Sequence, residues 1–441
     1  MTQCILEAGQ KSKRSYLLRG PKMEGDIIKC LGQIEEKELV ELCQNLIKIP
    51  SHKDTLSREK EIALFLKDFM EGEGIEVVLQ EVAEGRSNVI ARLRGTGKGP
   101  NLLFNGHMDT VPPLGMKDPY GAKVKDGKIW GRGAVDMKSG LAGMTYALIA
   151  IKRAGMKLKG NLILAAVVGE ENINEGTQRL IEEGCQYDTA LVGEPTDLQI
   201  VIAHKGIEWI EITIKGKASH ASIPKEGINA IVNAARLVCV LEEKLVPKLS
   251  QTLRSNRLVG CPTLNIGKIW GGVRNSVVPD LCKIQLDRRT LPGEKIEDVL
   301  SEIRSVIRQL ENTYAEFKAE VNPTPVGPDT REQLEEIGKQ GLKIPPHEPM
   351  EISRDSKIVR ALSKAFKYVP GRNPEIAGMS GWTDASLLVN RAKIPTAVFG
   401  PGPVIKAHTT EEYVNIADLV DAAKVYAVTA VEVCSGRIKD S

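Results

Sequence analysis

Short uninterrupted apolar runs, each followed by glycine and polar residues, are the dominant pattern of this chain. Four of them lead to residue types that bind metals: 101–105 to His107, 162–168 to Glu170 and Glu171, 189–192 to Glu194, and 394–399 to His408. Such runs are typical of strands buried on both faces of a parallel sheet. Because functional groups gather beyond the carboxyl ends of these strands, the pattern predicts one shared site.

The remaining apolar positions predict the elements that surround these strands. Helical spacing indicates helices at 35–49, 59–71, 138–153, 357–366 and 417–434, and two further strands are predicted at 75–80 and 88–94. Alternating strands and helices are typical of an α/β fold. We therefore expect a mixed, mostly parallel sheet flanked by helices, forming a catalytic domain from residues 35–205 and 323–441.

A different pattern begins near Gly206. Segment 209–215 alternates apolar and polar residues, which is typical of a strand with one wet face. The elements predicted after it are a helix at 228–245, strands at 263–269 and 281–288, a helix at 295–310 and a strand at 317–321. The order β-α-β-β-α-β is that of a ferredoxin-like sandwich, so we expect an inserted α+β domain at 206–322, with hinges at Gly206 and 323–328.

Residues 1–34 are predicted to be an N-terminal extension. Its first 22 residues are polar and basic and lack the apolar core of a signal peptide. This favours a disordered extension, or a start codon placed too early, over a targeting signal. A helical start to the domain is expected from Met23.

Composition narrows the functional classes. A chain of 441 residues is too long for one ordinary core, and 42% hydrophobic with 27% charged residues is typical of a soluble globular protein. A net charge of +3 gives no support to nucleic-acid binding, and no apolar run is long enough to span a membrane. The eight cysteines show no Cys-x-x-Cys spacing, which favours reduced thiols and a cytoplasmic protein.

Five residues form the candidate metal site. They are His107, Asp136, Glu171, Glu194 and His408. Two imidazoles with three carboxylates suit Zn²⁺, with Co²⁺ or Mn²⁺ as alternatives. Five ligands exceed one tetrahedral site, so we expect one carboxylate to bridge two ions about 3.5–4 Å apart.

Several of these residues also have simpler interpretations. Asp136 lies close to the start of the helix predicted at 138–153, where a carboxylate can act as an N-cap. Asp109, two residues after His107, is placed to accept the second imidazole N–H. In the pair Glu170 and Glu171, one carboxylate can bind a metal while the other takes a proton from water, or both can be solvated acids.

Beyond single residues, five motifs resemble one known family. They are GHMDTVP at 106–112, GRGAVDMK at 131–138, GEE at 169–171, GEPT at 193–196 and GKASHAS at 216–222. They are similar to those of the co-catalytic metal amidohydrolases, which include acetylornithine deacetylases, succinyl-diaminopimelate desuccinylases, aminoacylases and glutamate-releasing carboxypeptidases. The resemblance covers roughly residues 35–435, with the order of motifs kept.

This resemblance implies a role for each site residue. His107 and Glu194 would bind one ion, Glu171 and His408 the other, and Asp136 would bridge them. Glu170 would be the general base and Asp109 would orient His107. The inserted domain would form a homodimer and close over the site, so that His220 reaches the partner's active site and stabilises the oxyanion.

Substrate residues are implied by three further motifs. GGVRN at 271–275 contributes Asn275, and DRR at 287–289 contributes Arg289 to bind a substrate carboxylate. Asp287 shares a strand face with Arg289, so a purely structural ion pair is the alternative. GWTD at 381–384 resembles a Gly-Thr-Asp loop and contributes Thr383, although Trp382 interrupts it. His52, His204 and His347 match no ligand position and are interpreted as structural or surface residues.

The function expected from the sequence is metal-dependent hydrolysis of the amide bond of an N-acyl amino acid. Water activated between two divalent ions, most simply Zn²⁺, would attack the amide carbonyl, and Glu170 would pass the proton to the leaving amine. A dipeptidase or carboxypeptidase of the same family is the alternative enzyme. A binding protein that keeps the fold without turnover is the alternative from another class.

Overall fold

The computed structural model describes residues 20–184, 186–251, 255–324 and 344–438, with side chains from residue 24 onward. Residues 1–19, for which disorder is predicted, lie outside this part of the chain. So do residues 325–328 of the predicted hinge. The helices are α1 Gly20–Leu31, α2 Glu36–Lys48, α3 Lys60–Gly72, α4 Ser139–Arg153, α5 Glu175–Glu182, α6 Ala230–Val240, α7 Val246–Ser250, α8 Ile296–Thr313, α9 Lys357–Ala365, α10 Ala385–Asn390 and α11 Ile416–Cys434.

The strands that the sequence predicted lie close to their expected positions, and the structure adds several short strands that it did not predict. In chain order the strands are β1 Glu76–Ala83, β2 Arg86–Leu93, β3 Leu102–His107, β4 Lys123–Lys125, β5 Lys128–Trp130, β6 Leu162–Val167, β7 Thr189–Val192, β8 Ile200–His204, β9 Gly206–Lys215, β10 Thr263–Gly271, β11 Leu281–Thr290, β12 Lys318–Pro323, β13 Met350–Glu351, β14 Ile376–Met379, β15 Thr396–Val398 and β16 Tyr413–Asn415. Short 3₁₀ and π turns, among them 134–138, lie between these elements.

The chain forms two compact units. Unit 1 contains the described residues within 1–201, 352–376 and 392–441, and unit 2 contains those within 202–351 and 377–391. Unit 2 is larger than the inserted domain predicted at 206–322. Strand β8 explains part of the difference, because Val201 pairs with β15 in unit 1 whereas Ala203 and His204 pair with β13 in unit 2.

Unit 1 is built on a sheet whose centre is parallel. Strands β6, β3, β7 and β15 lie side by side in that order and run in the same direction. The outer strands β1 and β2 are antiparallel, and the sheet is therefore mixed. Every residue of β3, β6 and β7 is buried, as their uninterrupted apolar sequence predicts. The predicted α/β class is confirmed.

Helix α4 packs closely on this sheet because of its small residues. A side chain at Gly140 would place a Cβ atom 2.0 Å from the Gly193 carbonyl oxygen, and one at Gly143 would meet the ring of Tyr426 on α11 at 3.0 Å. The Tyr426 hydroxyl donates a hydrogen bond to the Phe399 carbonyl over 2.8 Å. These contacts connect α4, α11 and the ends of the strands that bear the site.

Unit 2 contains the predicted ferredoxin-like order. Elements β9, α6, β10, β11, α8 and β12 follow one another, with the short α7 before β10, and the sheet order is β10-β11-β9-β12 with every pair antiparallel. Alternate residues Ile210, Ile212 and Ile214 of β9 are fully buried, in a core shared with Leu237 of α6 and Ile303 of α8. The predicted β-α-β-β-α-β sandwich is confirmed.

Helix α1 lies within residues 1–34, which the sequence assigned to an extension, and it begins close to Met23, where a helical start was expected. The part from Gly20 to Leu31 is helical, and Ile27 and Cys30 are each only 1% exposed. Their spacing of three places both on one face, which packs against α11 and α4. Residues 20–31 thus belong to the packed structure of unit 1.

A small sheet was also missed by the sequence interpretation, which predicted no strand at any of its three positions. Strands β4, β5 and β16 form this antiparallel sheet, and each contains three residues. Elements this short carry no measurable hydrophobic period.

Among the described residues, the helices all fall short of the length and apolarity needed to cross a membrane.

Candidate metal centre

The four strand ends that carry the predicted ligands meet at one edge of the unit 1 sheet. His107 is the last residue of β3, the pair Glu170 and Glu171 follows β6, Glu194 follows β7, and His408 lies on the loop after β15. Since β6, β3, β7 and β15 are neighbouring parallel strands, their carboxyl ends share an edge. The structure therefore brings these side chains together as predicted.

Asp136 lies at the centre of this group. Its Oδ1 is 3.1 Å from His107 Nε2, and its Oδ2 is 3.2 Å from His408 Nε2. Helix α4 begins at Ser139 with Lys138 as its N-cap residue and no side-chain cap, so the capping interpretation of Asp136 does not hold. One carboxylate faces two imidazoles, one with each oxygen.

Each imidazole also faces a second carboxylate. His107 Nε2 lies 3.3 Å from Glu194 Oε1, and His408 Nε2 lies 3.0 Å from Glu171 Oε1. His408 has a φ of 60°, in the left-handed region that side chains other than glycine rarely adopt. The five residues thus divide into His107 with Glu194 and His408 with Glu171, joined by Asp136.

Glu170 lies beside the first of these sets. Ligand atoms of His107, Glu170 and Glu194 are all within 4.8 Å of one another, as are those of His107, Asp136 and Glu171. Both acidic neighbours in the Glu170–Glu171 pair therefore point into the cluster. This arrangement excludes the interpretation of the pair as two solvated acids at a strand end.

Asp109 has a different partner from the one predicted. His107 Nδ1 is 2.9 Å from the main-chain carbonyl oxygen of Asp109, whereas the nearest carboxylate oxygen is 3.6 Å away. The Asp109 carboxylate instead accepts the main-chain N–H of Glu170 over 3.1 Å and that of Glu171 over 3.0 Å. The chain bends after β3 so that the carbonyl reaches the ring and the carboxylate reaches the next loop.

Glycine residues allow this close packing. A Cβ atom at Gly106 would lie 2.6 Å from Met137 Cε, and one at Gly193 would lie 2.8 Å from the same atom. The Met137 side chain therefore fills the space beneath β3 and β7, next to Asp136. Glycine precedes His107 and Glu194 because any larger residue there would collide with the Met137 side chain.

Charge in the cluster is balanced by the imidazoles. Burial alone would raise the pKa of Asp136, but hydrogen bonds from both imidazoles hold it well below its usual range. Burial and the nearby Asp136 charge raise the pKa of Glu194 to about 8. Hydrogen bonds to Asp136 and Glu171 raise the pKa of His408 to about 10. Without a metal these imidazoles hold protons, which divalent ions would replace.

This donor set fits a pair of metal ions. Imidazole nitrogen and carboxylate oxygen are ligands that Zn²⁺, Co²⁺ and Mn²⁺ accept. Among the described residues, the ion pairs of Asp136, Glu171 and Glu194 are all with histidines. In the described part of the chain, these three carboxylates thus pair with neither lysine nor arginine.

Comparison with known proteins agrees with this chemistry. A family model described as peptidase family M20/M25/M40 matches residues 103–432. The chain belongs to this family. It is thus a metal-dependent hydrolase of amide bonds, and the resemblance stated from the motifs is confirmed.

Two curated relatives of this M20-family chain are named as deacylases. A probable succinyl-diaminopimelate desuccinylase of Staphylococcus epidermidis is 28% identical, over 87% of this chain and 94% of the relative. An acetylornithine deacetylase of Myxococcus xanthus is 29% identical, over 84% of this chain and 87% of the relative. Among solved structures, a tripeptidase of Staphylococcus aureus matches with a TM-score of 0.72 and 26% identity, covering 91% of this chain and 99% of that one.

The other predicted site residues lie in unit 2. His220 and Asn275 are exposed, whereas Thr383 is 2% exposed, and its hydroxyl accepts the N–H of Ala385 at the start of α10. Arg289 forms the ion pair with Asp287 that was considered as an alternative, with Nε to Oδ1 at 2.7 Å. The pair is about one-third exposed, so Arg289 remains accessible.

The remaining three histidines are buried. His52, His204 and His347 are 9%, 0% and 8% exposed. Burial lowers the pKa of both His204 and His347 to about 4, so both are neutral at pH 7. His347 packs edge-to-face on Trp382, with ring centroids 4.7 Å apart. Their interpretation as structural residues agrees with these positions.

One buried acid next to the cluster was missed by the sequence interpretation. Glu412 is fully buried and accepts the main-chain N–H of Asp136 over 3.2 Å. In the sequence it stands among polar residues four positions after His408, and nothing distinguishes it there from a solvated acid. Its ion-pair partner, Arg132, is 280 residues away along the chain.

Proposed function

We propose that this protein removes the acyl group from an N-acyl amino acid by hydrolysis at a site for two divalent ions. The observation that carries the proposal is Asp136, whose two carboxylate oxygens face the different imidazoles of His107 and His408 at 3.1 and 3.2 Å. A bridging carboxylate needs this arrangement. Glu194 would complete one ion's protein ligands, and Glu171 the other's.

Charge and donor type support a pair of divalent ions. Asp136, Glu171 and Glu194 carry three negative charges when ionised, and Glu170 adds a fourth, which two divalent cations would balance. Zn²⁺ is the first candidate for this nitrogen and oxygen donor set, and Co²⁺ and Mn²⁺ are the alternatives. When bound, the two ions would polarise the substrate carbonyl and lower the pKa of a water between them.

Glu170 is proposed as the general base. It belongs to the group formed with His107 and Glu194, within 4.8 Å of their ligand atoms. The Asp109 carboxylate holds the main-chain N–H groups of Glu170 and Glu171, which supports a fixed direction for each of the two side chains. Glu170 would take the proton of the attacking water and deliver it to the leaving amine.

His220 is proposed to stabilise the oxyanion. Its Nδ1 accepts the main-chain N–H of Ser222 over 3.2 Å and lies 2.7 Å from the Ser222 hydroxyl oxygen. A main-chain N–H can only donate, so the neutral ring carries its proton on Nε2. His220 therefore presents an N–H donor of the kind that an oxyanion requires.

A substrate carboxylate is proposed to bind at Arg289, with Asn275 and Thr383. Asp287 engages Arg289 through Nε and Nη2, at 2.7 and 3.2 Å. This leaves Nη1 as a donor on an arginine whose orientation is fixed. The same Asp287 contact that supports a structural role thus also prepares the side chain to bind an anion.

N-acyl amino acids are the first candidate substrates because the two curated relatives are named for a succinyl and an acetyl group on an amino acid. A short peptide is the second candidate, favoured by the similarity to a solved tripeptidase structure. Both substrate types place a carboxylate near an amide bond. They differ in the acyl group, which carries a free amine in a peptide but not in an acetyl or succinyl amino acid.

The test is an assay of zinc-loaded protein against N-acetylornithine, N-succinyl-diaminopimelate, a tripeptide and a dipeptide. Cleavage of one of the N-acyl amino acids with a kcat/KM at least tenfold above that for either peptide is expected. Preference for a peptide would assign the chain to the peptidases of the family. No cleavage of any substrate by protein that binds two ions would support a binding protein.

A homodimer through unit 2 is also proposed. Apolar side chains are exposed there: Ile231 and Val232 of α6 at 40% and 46%, and Ile269 and Trp270 of β10 at 50% and 44%. A second copy of the chain would cover them. Light scattering should give twice the mass of the 48.2 kDa chain, and a monomer at micromolar concentration would contradict this.

The dimer allows a test of His220 across the interface. His220→Ala chains should be nearly inactive because losing one oxyanion donor costs about 10²–10³-fold. Glu170→Gln chains should be nearly inactive because they lack the general base, which contributes about 10²–10⁴-fold. If His220 serves the partner's site, a mixed dimer has one site lacking both residues and one intact site, so activity should return on subunit exchange. No recovery after demonstrated exchange would mean that His220 serves its own chain.

A cytoplasmic location is proposed on the state of the cysteines. All six that lie among the described residues are free thiols, and four of them are buried. Buried reduced thiols are typical of proteins from a reducing compartment. Mass spectrometry of protein alkylated in cell lysate should find these thiols reduced.

A further inference from the structure

A buried ion pair connects three of the segments that carry the metal ligands. Arg132 is 1% exposed and Glu412 is fully buried, and Arg132 Nη1 donates to Glu412 Oε2 over 2.5 Å. Both residues lie outside the set of proposed ligands. Their contacts suggest a task beyond mutual charge compensation.

The first contact is with the turn that carries Asp136. Glu412 Oε1 accepts the main-chain N–H of Val135 over 2.9 Å and that of Asp136 over 3.2 Å. Asp136 lies in non-helical backbone, with φ −122° and ψ 98°, so no helical hydrogen bond fixes its position. Glu412 supplies that constraint from another part of the chain.

The second contact is with the loop after His107. Arg132 Nε donates to the Pro112 carbonyl over 3.2 Å, and Arg132 Nη2 donates to the Pro113 carbonyl over 3.3 Å. This loop begins after His107, the last residue of β3, and Asp109 lies at its start. The guanidinium thus joins the His107 loop to Glu412 through separate donors.

The third segment is the one that carries His408, and Glu412 itself lies on it, four residues after His408. The main-chain carbonyl of Glu412 also accepts the N–H of Gly131 over 3.3 Å. One buried pair therefore links the backbone next to His107, Asp136 and His408. These are the three residues on which the proposed sharing of one carboxylate depends.

We propose that Glu412, oriented by Arg132, is a positioning residue that holds Asp136 between the two imidazoles and so sets the affinity for both ions. The inference rests on the proposed function, in which Asp136 is shared. Groups that orient metal ligands typically contribute about 10–100-fold to metal affinity or activity when they are mutated. Glu412 acts through Asp136 and contacts neither ion nor substrate.

Glutamate is required here because both of its oxygens are used as acceptors. Oε2 accepts from Arg132, and Oε1 accepts from two main-chain N–H groups. Glutamine has one acceptor oxygen, and its NH₂ would face a donor on one side or the other. Glu412→Gln keeps the shape of the side chain but removes one of its two acceptor oxygens.

The experiment measures Zn²⁺ affinity by competition with a chromophoric chelator, together with Co²⁺ binding by visible absorption. Glu412→Gln should weaken binding of both ions about 10–100-fold. At saturating zinc, KM should be unchanged and much of kcat should return, because the ligands themselves are present. A purely structural role would lower thermal stability and leave affinity unchanged.

Glu294→Gln is the matched control. Glu294 is 8% exposed in its side chain, accepts from Arg288 over 3.0 Å and accepts the Leu291 N–H over 2.8 Å. It combines an arginine with a main-chain donor as Glu412 does, but in unit 2. Its loss should lower stability and leave Zn²⁺ affinity at the wild-type value.

A second variant covers the case in which Glu412→Gln does not fold. The double change Arg132→Met with Glu412→Met leaves no unpaired buried charge, and such replacements are often neutral for stability. It still removes the acceptor for the Asp136 N–H, so weaker binding of both ions is expected. Wild-type affinity in either folded variant would overturn the inference. Wild-type protein that binds fewer than two ions would instead contradict the proposed function.

Discussion

Two clusters of buried carboxylates in unit 1 use the same acidic residue types with different partners. In one cluster, Arg86 donates to both oxygens of Glu59, at 2.7 and 2.5 Å, and its Nη1 donates to Glu175. In the other, the ion pairs that Asp136, Glu171 and Glu194 form with described residues are with His107 and His408. The residues of the first cluster are 2–7% exposed, whereas the second cluster is open to solvent at His408, whose side chain is 50% exposed.

The difference lies in the cation. The Arg86 guanidinium carries a permanent charge and binds a carboxylate with a rigid pair of donors, so the first cluster is complete within the chain. An imidazole is charged only while it holds a proton, and once the proton leaves, the ring nitrogen becomes a metal ligand. Buried acids paired with histidine can therefore exchange protons for metal ions, whereas those paired with arginine cannot.

The largest expected effect is loss of the ions themselves. Chelation should reduce hydrolysis to the uncatalysed background, and zinc should restore it. His107→Ala and His408→Ala should each remove most activity and lower the metal content from about two ions to about one, since each removes a ligand of a different ion. Full activity in metal-free protein would contradict the view that the carboxylates paired with histidine bind metal ions while those paired with arginine do not.

The next effect separates the adjacent acids Glu170 and Glu171. Glu170→Gln should lower kcat by about 10²–10⁴-fold with metal content retained, because it removes a base. Glu171→Gln should weaken the binding of one ion, because the Glu171 carboxylate lies 3.0 Å from His408. Metal analysis beside steady-state kinetics measures both, and the opposite pattern would exchange the two assignments.

In the arginine cluster, the expected effect is on stability. Glu59→Gln removes one of the two carboxylates that pair with Arg86, and breaking a buried ion pair costs about 3–5 kcal/mol. Denaturant unfolding should show this loss, while metal content and kcat in the folded protein should match wild type. A change in metal affinity would mean that the two clusters are coupled.

The smallest expected effect concerns pH. Burial raises the pKa of Glu175 to about 7 from an ordinary value of 4.5. The folded state then holds this proton more tightly than the unfolded state, so the stabilisation is present below pH 4.5 and is lost as pH rises through 7. With the metal sites saturated, wild type should lose about 1–3 kcal/mol relative to Glu175→Gln over that range. Parallel stability curves would contradict the shift.

The metal cluster was largely predictable from the sequence, and the reason is the parallel sheet. Uninterrupted apolar runs located β3, β6, β7 and β15, and their carboxyl ends must share an edge when they are neighbours. The role of Asp136 was less certain because a carboxylate before a helix can be a cap. The bent backbone of 134–138, which turns Asp136 away from α4, is not visible in the residue pattern.

Other contacts could not be predicted because they depend on which atom of a residue is used or on distant pairing. His107 and Asp109 are two residues apart, a spacing that fits either the carboxylate or the carbonyl as partner, and the structure has the carbonyl. Arg132 and Glu412 meet across 280 residues. Strand β4 and its neighbours are three residues long, too short for a period to be recognised.

The central claim is that one carboxylate, Asp136, is shared between two metal ions. Anomalous X-ray scattering at the zinc edge, from crystals grown with zinc, tests it most directly. Two peaks are predicted about 3.5–4 Å apart, one beside His107 and Glu194, the other beside His408 and Glu171, with Asp136 between them. A single peak, or two peaks that do not both contact Asp136, would contradict the account.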